Sequence, residues 1–496
     1  MSCELIGAKL MAPYFGTSLY VWASVLALTL GGLTLGYFWG GRLSKKYSGD
    51  FNLLYLVLII ASLLLIIMPW TSIMIMDNLV NLSLELGTII SLLLYLVPPL
   101  CFMGMVSPII INLLTEESSD AGKNAGKVYA ISTLGGILFT FLMGFYFIPI
   151  WGLKIPALLN GILLISIPTL LILKSKKSPI VLTAVVLFSF LNLNSGERFN
   201  SDEYSIIYSS EGILGQIKVV DHPAYEFTED NKMGRALIVN NTLQTFVGHD
   251  NDFQYSIWNW SQYFPTIASI YPENSEVLLL GLGGGTLVKQ LNRLGHSVDV
   301  VEIDKRVKDV SVEYFSLDPK TNVVIDDARH YIRTCKKKYD IVIYDTFLSE
   351  SVPEHLLTIE GFEDVRKILK PKGMILSNFY GAIEGSLGIA ARSVYKTLSR
   401  SDFNVEILAT PGDDRSRNLI FIASDDIKDY SIAEYSDPNS EKIEDLEQHF
   451  IDYRFMDTSS VEILYDHKPI LAKLYNPLAK SWKRSYNDYY AKYFKD

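Results

Sequence analysis

Six apolar stretches crowd the first two-fifths of this 496-residue chain: Leu19–Trp39, Leu53–Trp70, Ile89–Leu114, Val128–Trp151, Ile155–Leu173 and Ile180–Leu193. Each approaches the ~20 residues that a helix needs to cross the hydrocarbon of a bilayer, the last being the shortest. A soluble core has no use for six such runs, and a signal peptide would not recur past the first ~30 residues. The expected outcome over residues 1–195 is a multi-pass α-helical membrane domain, with the lipid bilayer as its partner and the cell membrane as its location. Ahead of the spans, Met1–Pro13 carries Glu4 and Lys9 in an apolar setting. It is too short to cross and reads as the second half of a helix whose beginning is missing.

Loop charges set orientation. Arg42, Lys45 and Lys46 follow the first span, Lys123 and Lys127 precede the fourth, and Lys174, Lys176 and Lys177 follow the fifth. The alternate loops hold little beyond Lys154, so the basic loops are expected on the cytoplasmic side. If Ile180–Leu193 crosses, the C-terminal half lies outside; if it does not, that half shares the cytosol. The sequence leaves both open. Gly31-Gly32, Gly36, Gly40-Gly41 and Gly135-Gly136 fall at spacings that let membrane helices approach closely. Pro98-Pro99, Gly104 and Pro108 predict a kinked or broken third span, either structural or lining a cavity. Apart from Glu4 and Lys9 no charge pair sits inside a span, which argues against a pump or ion path.

From about Gly196 the chain turns polar. Tyr204–Tyr208, Gln216–Val220 and Ala236–Val239 read as strands of a small antiparallel sheet, placed at 196–260, and a helix is expected over Ile257–Tyr271. An α/β domain is expected at 261–425, closed by strands at Met374–Asn378, Val405–Leu408 and Leu419–Ala423. A charged, Tyr-rich extension at 426–496 should form short helices. Within the α/β domain, Val277–Leu280 runs into Gly281-Leu282-Gly283-Gly284-Gly285 and the helical Thr286–Leu294. A strand, a glycine turn and a helix N-terminus place bare backbone N–H groups where a ligand can approach. Three further strands end in Glu302-Ile303-Asp304, Asp326-Asp327 and Asp345. Carboxyl ends of parallel strands are where open α/β folds bind ligands. A dinucleotide turn wants a third glycine where Thr286 stands, or Val288 in the shifted frame. One acid for ribose hydroxyls followed by another within reach of an adenine amino group instead suits an S-adenosylmethionine-type nucleoside. The plainer alternative is that these acids only cap helices and solvate turns.

Cys3, Cys101 and Cys335 are scattered and the seven histidines show no ligand spacing, so neither a disulfide framework nor a metal site is expected. The net charge of −10 argues against nucleic acid as a partner.

These residues resemble the membrane-fused spermidine synthase-like (polyamine aminopropyltransferase-like) family. In the membrane half the likeness lies in Ala12-Pro13-Tyr14-Phe15-Gly16, Gly104-Met105-Val106-Ser107-Pro108 and Ser132-Thr133-Leu134-Gly135-Gly136. In the soluble half it lies in Gly215-Gln216-Ile217, the glycine turn through Thr286, Glu302-Ile303-Asp304, Asp326-Asp327-Ala328-Arg329, Asp345 and Pro353-Glu354-His355-Leu356-Leu357-Thr358. The resemblance implies a Rossmann-like, S-adenosylmethionine-dependent-transferase-type fold behind a small N-terminal β-sheet. It implies decarboxylated S-adenosylmethionine or S-adenosylmethionine as donor, a small-molecule amine as acceptor, and admits a homodimer. Carried over, Gly281, Gly283 and Gly285 cradle the donor, Glu302 holds the ribose, and Asp326 and Asp327 hold the adenine. Gln244 and Tyr255 would line the small-molecule pocket, with Asp345 the base beside the attacking amine. The chain departs from soluble spermidine synthases at Gly284, Ser256, Ile257 and Leu348, where polar anchors for the aminopropyl chain and a cationic amine are missing. Aminopropyl transfer is thus the leading expectation. Methyl transfer on the same fold is the second, and a ligand sensor or transporter without turnover the third.

Overall fold

The computed structural model describes all residues except 17–18, 80–81, 83, 116, 175–199, 202–203, 225–232, 250–252, 347–352, 416, 437–442, 444, 453–455 and 480–496. The chain divides into two compact units, Met1–Arg198 with Ser210–Gln216, and Phe199–Ser209 with Ile217–Asp496. The sixth apolar stretch, Ile180–Leu193, lies outside the described residues.

The first unit is helical. Helix α1 (Ser2–Phe15) ends at Gly16, whose φ of 76° stops it. It is followed by α2 (Leu19–Lys46), α3 (Phe51–Leu79), α4 (Leu84–Tyr95), α5 (Val97–Leu114), α6 (Ala121–Leu142), α7 (Ile148–Trp151) and α8 (Lys154–Lys174). Among the described residues, Tyr20–Lys46, Phe51–Leu79, Val97–Leu114 and Ala121–Trp151 are long and apolar enough to cross a membrane. The third stretch is indeed broken, but at Leu96 rather than at Gly104 or Pro108. Pro98 and Pro99 sit in the first turn of α5, where their missing N–H groups cost nothing, and α5 then runs on through Pro108. A π-helical turn at Met143–Phe147 precedes Pro149. The glycine spacing of α2 has a direct use. A Cβ at Gly40 would come within 2.7 Å of the Met105 backbone, and one at Gly32 within 3.2 Å of Leu100 Cβ, so α2 and α5 touch backbone to backbone. Gly31, Gly41 and Gly135 have no such neighbour.

A five-stranded sheet comprises β1 (Asn200–Ser201), β2 (Tyr204–Gly212), β3 (Gly215–Pro223), β4 (Met233–Val239) and β5 (Thr242–Gly248), in that order. Strand β5 was absent from the sequence reading. It pairs with β4 through an irregularity: Leu237 faces Thr245 and Ile238 faces Leu243, leaving Gln244 as the extra residue of a bulge. The helix expected over Ile257–Tyr271 is shorter than that. Trp258 stays extended, donating its N–H to Ser256 Oγ at 3.0 Å, and only a 3₁₀ turn at Asn259–Gln262 and helix α9 (Tyr263–Ala268) form.

The larger sheet has seven strands: β6 (Glu276–Leu280), β7 (Ser297–Glu302), β8 (Asn322–Ile325), β9 (Tyr339–Tyr344), β10 (Leu369–Tyr380), β11 (Asn404–Ala409) and β12 (Asn418–Ser424). Their order is β11-β12-β10-β9-β6-β7-β8. Strands β10, β9, β6, β7 and β8 run parallel, while β12 is antiparallel to both β10 and β11. Helices α10 (Thr286–Arg293), α11 (Lys305–Tyr314), α12 (Ala328–Thr334), α13 (Ile359–Ile368) and α14 (Ile389–Arg400) connect or flank the strands. This is a Rossmann-like sheet with an antiparallel edge hairpin. Both faces are covered, which is why its strands read as unbroken apolar runs. Leu278, Leu280, Val342 and Tyr344 pack with Ile332, Phe362 and Val394 on one face. Val277, Leu279, Ile341 and Ile343 pack with Phe264, Leu287, Val310 and the small sheet's Val219 and Leu237 on the other. The C-terminal extension does not stand apart: Leu464, Leu471 and Tyr475 join the first of these clusters, and 471–479 is helical.

Candidate functional site

Chain order reverses between β6 and β9, so their carboxyl ends leave a crevice at the switch point. The Asp345 N–H donates to Leu280 O and the Gly281 N–H to Val301 O, both at 2.9 Å, which fixes the base of that crevice. In the turn, Gly281, Gly283 and Gly285 adopt φ of 91°, 53° and 79°. At Gly281 the requirement is doubly strict, because a Cβ there would run into the Asp345 carbonyl. Gly285, left-handed, caps α10.

Glu302, at the end of β7, is 8% exposed and is held by the turn it faces. Leu282 N–H donates to Oε2 at 3.1 Å and Asp304 N–H to Oε1 at 2.9 Å. Burial pushes its carboxyl up to about 7, outweighing the backbone N–H bonds that pull it down. Asp304 caps α11 and pairs with Arg306 at 2.6 Å.

The two acids after β8 have different surroundings. Asp326 accepts the Asp327 N–H on Oδ1 at 2.8 Å and meets His330 Nδ1 with Oδ2 at 2.7 Å. Asp327 is the N-cap of α12: Oδ1 accepts from the Arg329 and His330 N–H groups at 2.9 and 3.1 Å, and Oδ2 lies 3.3 Å from His355 Nε2. Asp327 thus does the capping that the plainer reading allowed, yet it remains 41% exposed beside the crevice. The Asp326 N–H donates to Glu302 O at 3.1 Å, so the β7 and β8 acids are joined through backbone.

Asp345 ends β9. Its Oδ1 accepts from Asn378 Nδ2 at 2.8 Å, and burial raises its carboxyl above the usual range while that bond lowers it. Gln244 lies in the β5 bulge, next to the residue that touches the turn: Thr245 Oγ1 accepts the Gly284 N–H at 2.8 Å. Tyr255 is not brought to this group. Its ring lies 4.5 Å from the Arg293 guanidinium, at the last residue of α10, the end opposite the glycine turn. The eight residues of α10 separate the two ends by about 12 Å.

Four residues carry more than the sequence reading assigned them. Thr245 becomes a neighbour of the turn only through the bulge, and no local signal marks it. Asn378 and Asn418 are polar residues in largely apolar strands, a signal legible in the sequence. Arg329, within Asp326-Asp327-Ala328-Arg329, is buried and donates to Asp364 Oδ2 at 2.9 Å, to Asp466 Oδ2 at 3.2 Å and to the His355 carbonyl. It thereby ties the acid turn to Pro353–Thr358 and to the C-terminal extension. Among the described residues no group of three or more His, Cys, Asp and Glu could hold a metal ion.

The spermine/spermidine synthase domain matches residues 265–384, the stretch containing every one of these strand-end acids. A polyamine aminopropyltransferase of Vibrio vulnificus is 34% identical over 131 residues, covering 24% of this chain and 44% of that protein. One from Thermoplasma volcanium is 29% identical over 188 residues, covering 36% of this chain and 66% of that protein. The chain thus spans about half the length of the curated relatives it matches. A probable spermidine synthase structure from Corynebacterium glutamicum superposes with a TM-score of 0.40 at 19% identity, covering 54% of this chain and 97% of that one. Through residues 265–384 and the acids they carry, this chain is similar to the spermine/spermidine synthase domain and to polyamine aminopropyltransferases.

Proposed function

We propose that this chain is an aminopropyltransferase-like enzyme that moves an aminopropyl group from decarboxylated S-adenosylmethionine to a small amine, carried on a multi-pass membrane unit. The observation that carries the reading is Glu302, buried beside the glycine turn and bonded to Leu282 N–H and Asp304 N–H, in the stretch that matches the synthase domain. The turn lets the donor approach the backbone closely, Glu302 accepts from the ribose hydroxyls, and Asp326 and Asp327 face the adenine. Gln244 borders the chain end. Tyr255 enters this reading only if it leaves Arg293.

The chemistry asks little covalent work of the protein, because a sulfonium is already an activated leaving group. An acceptor amine with a pKa near 10.4 arrives as ammonium and has no free lone pair. Asp345 attracts it, takes its proton, and aligns the nitrogen with the sulfonium-bound methylene. The C–N bond forms as the C–S bond breaks, the C–S electron pair neutralises the sulfonium, and the nucleoside leaves as a thioether. Soluble-half access to a cytosolic donor favours a cytoplasmic placement of this unit.

The test is mass spectrometry of the nucleoside product after incubation of the purified protein with each donor. Methylthioadenosine supports aminopropyl transfer. S-adenosylhomocysteine would replace it with methyl transfer, and donor binding without either product would make the chain a sensor or transporter. Asp345→Asn should cut turnover by ~10²-fold while donor affinity holds; full activity would remove Asp345 from the mechanism.

A further inference from the structure

Asp345 sits at the end of a directional hydrogen-bond chain that starts in the antiparallel edge hairpin. Asn418 Nδ2 donates to Asn378 Oδ1 at 2.8 Å, and Asn378 Nδ2 donates to Asp345 Oδ1 at 2.8 Å. Asn418 is itself fixed: its N–H donates to Thr410 Oγ1 at 3.0 Å, and its carbonyl accepts the Thr410 N–H at 2.9 Å. Both asparagines are nearly buried, 6% and 8% exposed. Buried apolar residues follow each of them, Phe379 on β10 and Leu419 and Ile420 on β12, while buried Ser377 precedes Asn378. Replacing a hydrogen-bonded buried pair by apolar groups of like shape is often nearly neutral for stability. Here the partner left over would be Asp345 itself, so what the two amides serve is that carboxyl.

We infer that Asn378 and Asn418 are positioning residues for Asp345. Asn378 holds one carboxylate oxygen so that the other is presented to the acceptor amine, and Asn418 dictates which end of the Asn378 amide does the holding.

The polarity of the chain leaves one arrangement. Rotating the Asn378 amide by half a turn would set its carbonyl oxygen against the Asp345 carboxylate and its NH₂ against the NH₂ of Asn418, two repulsive contacts for two bonds lost. The network therefore specifies the amide orientation. Among the described residues no bond is made to Asp345 Oδ2, and no charged side chain acts on the carboxyl; burial and the Asn378 bond are what shift it. Burial without the Asn378 donor would leave the carboxyl more readily protonated, and a protonated Asp345 cannot accept the amine's proton. Positioning and basicity thus come from the same bond. The edge hairpin β11–β12, which closes the sheet, is by this reading also an arm of the site.

The inference rests on the reading of Asp345 as the proton acceptor, so its test has one arm that needs no turnover. The full chain would be prepared as wild type, Asn378→Leu, Asn418→Leu and the double variant. In steady-state assays with decarboxylated S-adenosylmethionine and an amine acceptor, Asn378→Leu should lower kcat about tenfold with donor KM within about twofold. The acid limb of its kcat–pH profile should move to higher pH. Asn418→Leu should do the same more weakly, by about threefold. Because Asn418 acts only through Asn378, the double variant should be no worse than Asn378→Leu alone. Losses that multiply, or an unmoved pH limb, would overturn the positioning role. The second arm is infrared titration of the carboxyl band that disappears in Asp345→Asn. The band should titrate at higher pH in both single variants, more in Asn378→Leu. An unmoved band overturns the inference whatever the activity; a moved band without turnover on any donor keeps it and sinks the transfer reading instead. Should Asn378→Leu fail to fold, Asn418→Leu decides by the same band.

Discussion

Donor binding should depend on pH through Glu302, with a size that its setting supplies. The folded carboxyl lies at about 7 against an ordinary value of 4.5. If the ribose hydroxyls need the carboxylate, the apparent dissociation constant scales inversely with the ionised fraction and should fall about tenfold between pH 6 and pH 8. Binding would release a proton near neutrality, which calorimetry in buffers of different ionisation enthalpy reads directly. Glu302→Gln keeps the size but turns an NH₂ towards one of the two N–H groups that the carboxylate now accepts. Its donor affinity should be flat over the same range and at pH 8 weaker by about tenfold, in keeping with the loss of a charge-assisted bond. Folding follows the same linkage with a defined sign. The folded chain holds a proton between pH 4.5 and 7 that the unfolded chain has released. The contribution of Glu302 to stability therefore declines as pH rises through that window, by about 3 kcal/mol in all. The stability of Glu302→Gln relative to wild type should rise across it. A wild-type affinity independent of pH, or an unaltered affinity in Glu302→Gln, would refute the assignment of this carboxyl to the donor.

Gly281→Ala should cost about 3 kcal/mol in denaturant unfolding, from a left-handed φ of 91° and a Cβ driven into the Asp345 carbonyl; a loss under about 1 kcal/mol would contradict the close approach. Arg329→Met should cost about 3 kcal/mol by removing the buried guanidinium that joins Asp364, Asp466 and the His355 carbonyl. Asp466→Asn, at a site 37% exposed, should cost about 1 kcal/mol, and equal losses would deny that Arg329 is the hub. For topology, with the native cysteines replaced, Ser48→Cys beside Lys45 and Lys46 should resist a membrane-impermeant thiol reagent in intact cells, and Asn78→Cys at the far end of α3 should react. The reverse pattern would invert the orientation.

What the sequence showed of this fold is what nearest neighbours along the chain determine. Val277–Leu280 is apolar on both faces because both faces are covered, and Glu302, Asp326 and Asp345 follow directly on such runs. A strand's end, a glycine turn and a helix cap are local facts, so the crevice and its acids were visible together. The bulge at Gln244 was not, since it exists only in the register of β5 against β4. With it went Thr245, whose contact with Gly284 depends on which face the extra residue sends it to. The expected helix at Ile257–Tyr271 failed because Trp258 takes an Ser256-capped extended form that periodicity does not register. Tyr255 was assigned by motif position, but the Arg293 guanidinium offers its ring a cation–π partner from a helix 38 residues further on. In the helical first unit, spacing alone marks Gly31-Gly32, Gly36 and Gly40-Gly41 alike as packing glycines. That Gly31 and Gly41 face open space could not be read, because spacing does not say which side of α2 meets α5.

The contact between Thr245 and Gly284 bears on substrate. Soluble synthases carry an acid at the position of Gly284, and the simplest account of its loss would be a vacancy that a water or a cation could fill. The geometry gives a different account. A Cβ at Gly284 would meet Thr245 Cγ2 at 2.7 Å and Phe315 Cδ1 at 3.0 Å, and the Gly284 N–H is already taken by Thr245 Oγ1. The space is filled, and it is filled by a neutral group. At the nucleoside end, by contrast, Glu302, Asp326 and Asp327 keep their carboxylates, and Asp345 keeps its own at the crevice floor. On the proposed function, charge is therefore retained where the nucleoside would bind and where a proton would leave, and replaced by a threonine methyl and hydroxyl between them. On that function, a site so arranged would select its donor by the nucleoside and place its acceptor by one carboxylate. By the same proposal, an acceptor bearing a single amine on an otherwise uncharged body would suit that arrangement better than a linear polyamine, whose second ammonium would find no acid at Gly284.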